Sequence, residues 1–244
     1  MTDRKERVLV TGSSRGIGRA IAERLAEAGF EVLVHGRAPS AAASAAAEAV
    51  AALGGGGRSL FFDVADRAST LAALEAEVEA HGAFWGVVCN AGIVRDAPLA
   101  GMSGEDWDAV LRTDLDGFYN VMRPLVMPMV QLRRGGRVVS VASVSGLLGN
   151  RGQTNYAAAK GGLIAASKSL ALELAKRRIT VNCVAPGLIE GEMADGAPPE
   201  ALALVPLRRL GKAREVAGLV AWLFSDDGAY VTRQVVAVDG GLSA

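Results

Sequence analysis

The sequence predicts one α/β domain, a doubly wound seven-stranded parallel sheet with helices on both faces, and three observations predict it. Short β-branched runs alternate with longer amphipathic or alanine-rich stretches, which is the rhythm of βαβ units. The strand runs are apolar throughout and do not alternate with polar residues, as expected when helices cover both faces of a parallel sheet. At 244 residues, 50% of them hydrophobic, the chain is long enough for one large core without disulfides.

The elements follow in order. "RVLVTG" is the first strand, and "VTGSSRGIGRAIAERLAEAGF" turns from it into an amphipathic helix with Ile17, Ile21 and Leu25 along one face. "EVLVHG" is the second strand. Ala41 to Ala52 then reads as a high-propensity helix ended by the glycines Gly54 to Gly57, because the strand "RSLFFDV" comes at once. "GVVCNAG" is the fourth strand. Asp106 to Arg133 reads as a long helix kinked by Pro124 and Pro128, each of which removes a backbone hydrogen bond. "GRVVSVAS", "ITVNCVAPG" and "QVVAVDGG" complete the sheet, and the Pro/Gly-rich "ADGAPPEALALVP" is expected to form a substrate lid over about residues 188–212. No internal repeat is visible, and residues 1–244 are read as one domain.

Charge and composition narrow the function. The 26 Lys and Arg balance 26 Asp and Glu, so no global field points to nucleic acid or to an anionic membrane. Cys89 and Cys183 both lie in apolar runs and read as buried thiols in a reducing compartment. No apolar leader and no run of membrane-span length is present, so the cytoplasm is the expected location.

Gly12, Gly16 and Gly18 stand where the first strand becomes a helix. Glycines there permit a tight turn and let the backbone approach a pyrophosphate, which the free N–H groups and positive dipole end of the helix favour. The position of the loop in a chain of βαβ units makes a dinucleotide the natural ligand, in the manner of a Rossmann fold. No Lys-Ser/Thr pair follows the last glycine, so it is not a Walker A loop. At the end of the second strand a carboxylate would select NAD. "VLVHGRAP" instead offers His35, Gly36 and the cation Arg37, and with Arg15 in the loop this points to the 2′-phosphate of NADP(H). The plainer reading of Arg37 is a solvated surface charge.

"TNYAAAKGG" sets Tyr156 and Lys160 four positions apart, on one face of a helix, with only alanines between. A free phenol titrates near 10, so acid–base work near neutral pH calls for a cation beside it. Ser143, at the end of the strand "GRVVSVAS", adds a hydroxyl to hold a carbonyl oxygen. Singly, these are a surface pair and a helix cap. Together they make a site for hydride transfer to a carbonyl.

With these residues in order, the sequence resembles the classical short-chain dehydrogenase/reductase family over essentially its whole length. The resemblance rests on Thr11-Gly12-Ser13-Ser14-Arg15-Gly16-Ile17-Gly18, Asp63, Asn90-Ala91-Gly92, Ser143, Tyr156-x-x-x-Lys160 and Ala185-Pro186-Gly187. It implies that Ser14, Arg15, Gly16 and Ile17 belong to the phosphate loop, that Asp63 and Val64 touch the adenine, and that Asn90, Ala91 and Gly92 line the adenosine side. It further implies that Pro186, Gly187 and Ile189 cup the nicotinamide, that Tyr156 is the acid, that Lys160 binds the nicotinamide ribose, and that Ser143 orients the carbonyl, with no metal. Within the family, "NAGIVRD", "SVSGLLGNRGQTNYAAAKGGLIAASKSLALELA" and "ITVNCVAPGLIE" are similar to bacterial 3-oxoacyl-(acyl-carrier-protein) reductases, and "HGAFWGVVCNAG", "GFYNVMRPLVMPMV" and "YVTRQVVAVDGG" to the branch of aryl polyene pathways. Acyl carrier protein is then the implied partner, meeting Arg134 and Arg177, with Arg133 and Arg178 beside them, near the active-site entrance. A plainer reading makes these cations ordinary helix ends. The resemblance also implies a homotetramer, built through the helices bearing Asp114 and Tyr156 and through the "VVAVDGG" region.

Two positions depart from the family pattern. Asp114 in "RTDLDG" replaces an asparagine whose main-chain carbonyl belongs to the catalytic group; an ionised aspartate keeps that carbonyl but cannot donate a side-chain hydrogen bond. Weakened activity or an altered pH dependence is expected. Gly191 replaces a threonine hydroxyl near the nicotinamide, at a cost of roughly 1 kcal/mol. The alternatives are a reductase or dehydrogenase of CoA-linked or free ketones and secondary alcohols, and a catalytically weakened cofactor-binding subunit.

Overall fold

The computed structural model describes residues 5–191 and 199–243. Seven strands form one parallel sheet in the order β3-β2-β1-β4-β5-β6-β7. They are β1 (Arg7–Val10), β2 (Glu31–Gly36), β3 (Arg58–Phe61), β4 (Gly86–Cys89), β5 (Gly136–Val141), β6 (Ile179–Pro186) and β7 (Val235–Val238). All seven fall inside the runs read from the sequence. The central strand β1 pairs with β2 through Val8↔Val32 and Val10↔Val34, and with β4 through Leu9↔Val87 and Val10↔Val88. The strand order reverses between β1 and β4, and in an open parallel sheet the crevice beyond the carboxyl ends at such a point is where ligands bind.

Both faces are covered. Successive side chains of β1 point to opposite sides, so Val8 and Val10 join one apolar layer and Leu9 the other. The first layer packs α1 (Gly16–Glu27), α2 (Ala41–Ala52) and α9 (Ala213–Phe224) on the sheet through Ile21, Leu25, Val50, Val220 and Phe224. In α1, Ile21 and Leu25 are buried as the periodicity requires, and Ile17 packs half-buried at its head. The alanine-rich run is the helix α2 over the range read from the sequence. Ser40 caps it by accepting the Ala43 N–H at 3.2 Å.

The second layer is built by α3 (Arg67–His81), α4 (Gly104–Leu111), α5 (Gly117–Gln131), the single turn α6 (Ser145–Leu148) and α7 (Thr154–Leu174), with Leu74, Leu125, Met129 and Leu174 in its core. A short α8 (Pro199–Ala203) precedes α9. The long run also carries an irregularity that the sequence does not announce. Pro124 and Pro128 stay inside α5, whereas Arg112–Asp116, between α4 and α5, forms a π-helical turn. Such a turn inserts an extra residue into the helix and frequently marks a functional site. Asp114 lies at its centre. Among the described residues no helix is long and apolar enough to cross a membrane. Both cysteines are buried thiols, and burial pushes Cys89 up to about 12.

Candidate active site

The phosphate loop is held from behind. Thr11 Oγ1 accepts the N–H groups of Asn90 at 2.9 Å and Ala91 at 3.0 Å, and Asn90 Nδ2 donates to the carbonyls of Thr11 at 2.9 Å and Gly12 at 3.1 Å. Asn90 and Ala91 therefore clamp the carboxyl ends of β1 and β4 together. Glycine is required in two places. Gly12 has φ +63°, and a Cβ on Gly18 would meet Asn90 Nδ2 and the Gly12 carbonyl, each at 2.4 Å. At the head of α1 no side chain caps the free N–H groups, and no acidic residue stands in the first turn. A Cβ on Gly16 would meet nothing within 4 Å. The rim formed by Ser14, Arg15, Gly16 and Ile17 thus leaves an open path for an anion towards a helix dipole, so these residues fit a dinucleotide pyrophosphate.

The other positions expected to meet a cofactor follow the ends of β2, β3 and β6. Arg37 is exposed immediately beyond β2. Asp63 follows β3; its Oδ1 accepts the Ala65 N–H at 2.9 Å, while its carbonyl accepts the Thr70 hydroxyl. Val64 is buried, and its carbonyl accepts Asn120 Nδ2 at 2.8 Å. Pro186 ends β6. Its carbonyl accepts the Val144 N–H at 3.0 Å, which draws the residues after β5 towards those after β6. Gly187 N–H donates to Val238, and Ile189 bridges to Gly211. Gly191 is exposed with φ +131°, and 192–198 of the expected lid lie outside the described residues.

Ser143 stands two residues beyond β5, and its Oγ accepts the Ser145 N–H at 3.1 Å. A Cβ on Gly146 would come within 2.8 Å of the Lys160 carbonyl carbon, so α6 lies directly on α7 and brings the serine loop against the helix that carries Tyr156 and Lys160. The start of α7 is anchored by two residues that the sequence analysis passed over. Gln153 accepts the Ser145 hydroxyl at 2.8 Å and donates to Asp96 at 3.0 Å. Asn155, fully buried, donates to the Arg95 carbonyl at 3.0 Å. Polar residues just ahead of the tyrosine were the available signal.

Lys160 is 3% exposed. Its ammonium lies 5.4 Å from the centroid of the Tyr156 ring and donates to the Val141 carbonyl at 3.1 Å. It also lies 3.1 Å from Asp114 Oδ2. That last contact is an ion pair by distance and not an aligned hydrogen bond, since Oδ2 has no donor in line with it. Asp114 Oδ1 accepts the Ile93 N–H at 2.8 Å. Burial pushes the Asp114 carboxyl above the usual carboxylate range, against the pull of Lys160 and of the Ile93 N–H. Burial also works against the Lys160 charge, but Asp114, then Tyr156, outweighs it and holds the ammonium above its ordinary value. Opposite charges at this spacing favour one another, so the direction supported by geometry is a retained ammonium. The expectation for Asp114 concerned its main-chain carbonyl; the side chain itself enters the site.

The four arginines expected to dock the carrier protein lie elsewhere. Arg133 and Arg134 precede β5, Arg177 and Arg178 precede β6, and Gly136 N–H donates to the Arg178 carbonyl. They lie at the amino ends of the strands, whereas Ser143 and Tyr156 lie beyond the carboxyl end of β5. Arg134 pairs with Glu6 at 3.1 Å. The expected place beside the entrance is therefore not met within one chain, because β5 alone separates the two ends by about 20 Å.

Residues 12–243 match the family model described as enoyl-(acyl carrier protein) reductase. The chain is 56% identical over 239 residues to 3-oxoacyl-(acyl-carrier-protein) reductase FabG of Aggregatibacter actinomycetemcomitans, covering 97% of this chain and 99% of that protein. It is 44% identical over 238 residues to the FabG of Escherichia coli (strain K12), with 96% of each chain covered, and 42% identical over the same length to that of Thermotoga maritima, again covering 96% of each.

Proposed function

The chain belongs to the short-chain dehydrogenase/reductase family, and from that premise we propose that it reduces the 3-keto group of an acyl thioester on carrier protein, with NADPH, to the 3-hydroxyacyl product. What supports this reading is Ser143 just beyond β5, in the loop whose α6 packs on α7, where the Lys160 ammonium lies 5.4 Å from the centroid of the Tyr156 ring. The family-model description names an enoyl substrate, but the similar proteins, aligned over nearly their whole lengths, are named for a 3-oxoacyl one. A site that offers a serine hydroxyl and a tyrosine phenol to an oxygen suits a ketone better than a carbon–carbon double bond.

NADPH, when bound, supplies the hydride. Arg37 and Arg15 would meet the 2′-phosphate, and the free N–H groups at the head of α1 would hold the pyrophosphate. The Ser143 hydroxyl donates to the ketone oxygen and holds it. Tyr156 donates its phenolic proton to that oxygen as negative charge develops there. Lys160 keeps a positive charge beside the phenol, which favours release of that proton. Asp114 tempers this charge and, with Val141, holds the ammonium in place.

Assembly into a homotetramer fits the exposed Tyr119 and Met127 on α5, Leu172 on α7, and Trp222 on α9. If Arg134 and Arg177 meet the acidic carrier protein, its thioester enters the site of a neighbouring copy, given where they lie in one chain. The test is NADPH consumption with carrier-bound, CoA-bound and free 3-ketones, repeated with NADH. The reading expects the carrier-bound substrate with NADPH to give the highest kcat/KM. Equal rates on all three, or a preference for free ketones, would contradict it. Comparison of saturated with conjugated acyl chains separates fatty-acid from aryl-polyene-type substrates.

A further inference from the structure

His35 stands at the end of β2 with both ring nitrogens engaged by backbone. Nδ1 accepts the Gly12 N–H at 2.9 Å, and Nε2 lies 3.0 Å from the Phe62 carbonyl oxygen. Because Nδ1 is an acceptor, the neutral ring carries its proton on Nε2, and that N–H donates to Phe62. The main chain repeats the link: the His35 N–H donates to Ser13 Oγ at 2.9 Å, the Ser13 N–H donates to the His35 carbonyl at 2.9 Å, and the Ser13 hydroxyl donates to Val10 at 2.7 Å. The residue is 2% exposed, and its ring centroid is 4.1 Å from that of Phe62.

A histidine satisfied in this way is often only core, but the two groups it joins are not core groups. Gly12 opens the phosphate loop, and its peptide is fixed on three sides: by Ala91, whose Cα a Cβ on Gly12 would approach to 2.9 Å, by Asn90 Nδ2, and by the His35 ring. Phe62 directly precedes Asp63, on the adenine side. We propose that His35 is a positioning residue for the adenosine half of the cofactor: its neutral imidazole ties the Gly12 N–H to the Phe62 carbonyl and keeps the phosphate loop and the Asp63 loop in register. Burial supports the neutral form, bringing the ring to about 4 against the upward pull of the Phe62 carbonyl and the Asp63 carboxyl, the charged group that acts on it. The proposal rests on the NADPH reading above.

The test compares wild type, His35→Ala and His35→Asn. The asparagine amide oxygen overlays Nδ1 and can still accept the Gly12 N–H. NADPH affinity is measured by cofactor fluorescence, and steady-state constants are measured for both substrates. Loss of one hydrogen bond from the loop is worth about tenfold. In His35→Ala, Kd and KM for NADPH are expected to rise about tenfold, with kcat at saturating cofactor and KM for the ketone within about twofold of wild type. His35→Asn is expected to recover most of the affinity. A folded His35→Ala that binds NADPH like wild type overturns the proposal. Should that variant not fold, nitrogen NMR of the wild-type ring decides: the Nε2–H neutral tautomer at neutral pH supports it, and an Nδ1–H or charged ring overturns it. A wild type that binds no NADPH removes the functional reading and this inference together, whereas equal binding by wild type and variant removes only this one.

Discussion

Lys160 Nζ lies 3.1 Å from Asp114 Oδ2, and both side chains are buried beneath the loop that carries Gly92. A carboxylate there neutralises part of the charge that acts on Tyr156, and an asparagine would not. In Asp114→Asn the Lys160 ammonium loses the carboxylate that holds its value up against burial, so it gives up its proton at lower pH. The alkaline limb of kcat/KM for NADPH-driven reduction should therefore move to lower pH. The amide oxygen still accepts the Ile93 N–H, so the fold is retained. A pH–rate profile superimposable on wild type would refute this role.

Gly92 leaves room for the pair. A Cβ there would lie 2.7 Å from Asp114 Oδ2 and 3.2 Å from Lys160 Nζ, so the buried ion pair would have to shift. Gly92→Ala is expected to lower kcat at least about tenfold and to destabilise by about 1–3 kcal/mol. Thermal melts and initial rates on the same preparation check both.

Arg37 stands exposed at the end of β2, beside neutral Gly36. Its charge-assisted hydrogen bonds to a 2′-phosphate would be worth about 1.5–3 kcal/mol, so Arg37→Ala should raise KM for NADPH by about tenfold or more. KM for NADH should stay unchanged. Parallel losses with both cofactors would show that Arg37 does not read the phosphate.

His35 also links stability to pH. Its folded value of about 4 lies below the ordinary 6.5, so between these values the unfolded chain takes up the proton first. The stabilisation is complete above about 6.5 and is lost as pH falls towards 4, amounting to about 3 kcal/mol. Denaturant titrations across that window should show a slope in wild type that His35→Asn flattens.

The strands were legible because each is a short apolar run bounded by turn residues, and α2 because alanines end at glycines. Ser143, Tyr156 and Lys160 were legible because spacing on one helix and one strand end is a local property. The π-helical turn at Arg112–Asp116 was not, since a single extra residue leaves the apolar period almost intact. The partnership of Asp114 with Lys160 depends on how the π-helical turn meets α7, which periodicity does not encode. His35 was read with Gly36 and Arg37 as the end of the second strand; only the packed loop gives its two nitrogens their partners. The amino-end placement of Arg134 and Arg177 follows from strand direction and is visible once β5 and β6 are known to run parallel.

The account turns on proton donation by Tyr156, and the rate of NADPH consumption by Tyr156→Phe with a 3-oxoacyl carrier-protein substrate, at saturating cofactor, tests it most directly. The predicted result is turnover at least about a hundredfold below wild type with NADPH affinity unchanged. Turnover within a few-fold of wild type would contradict it.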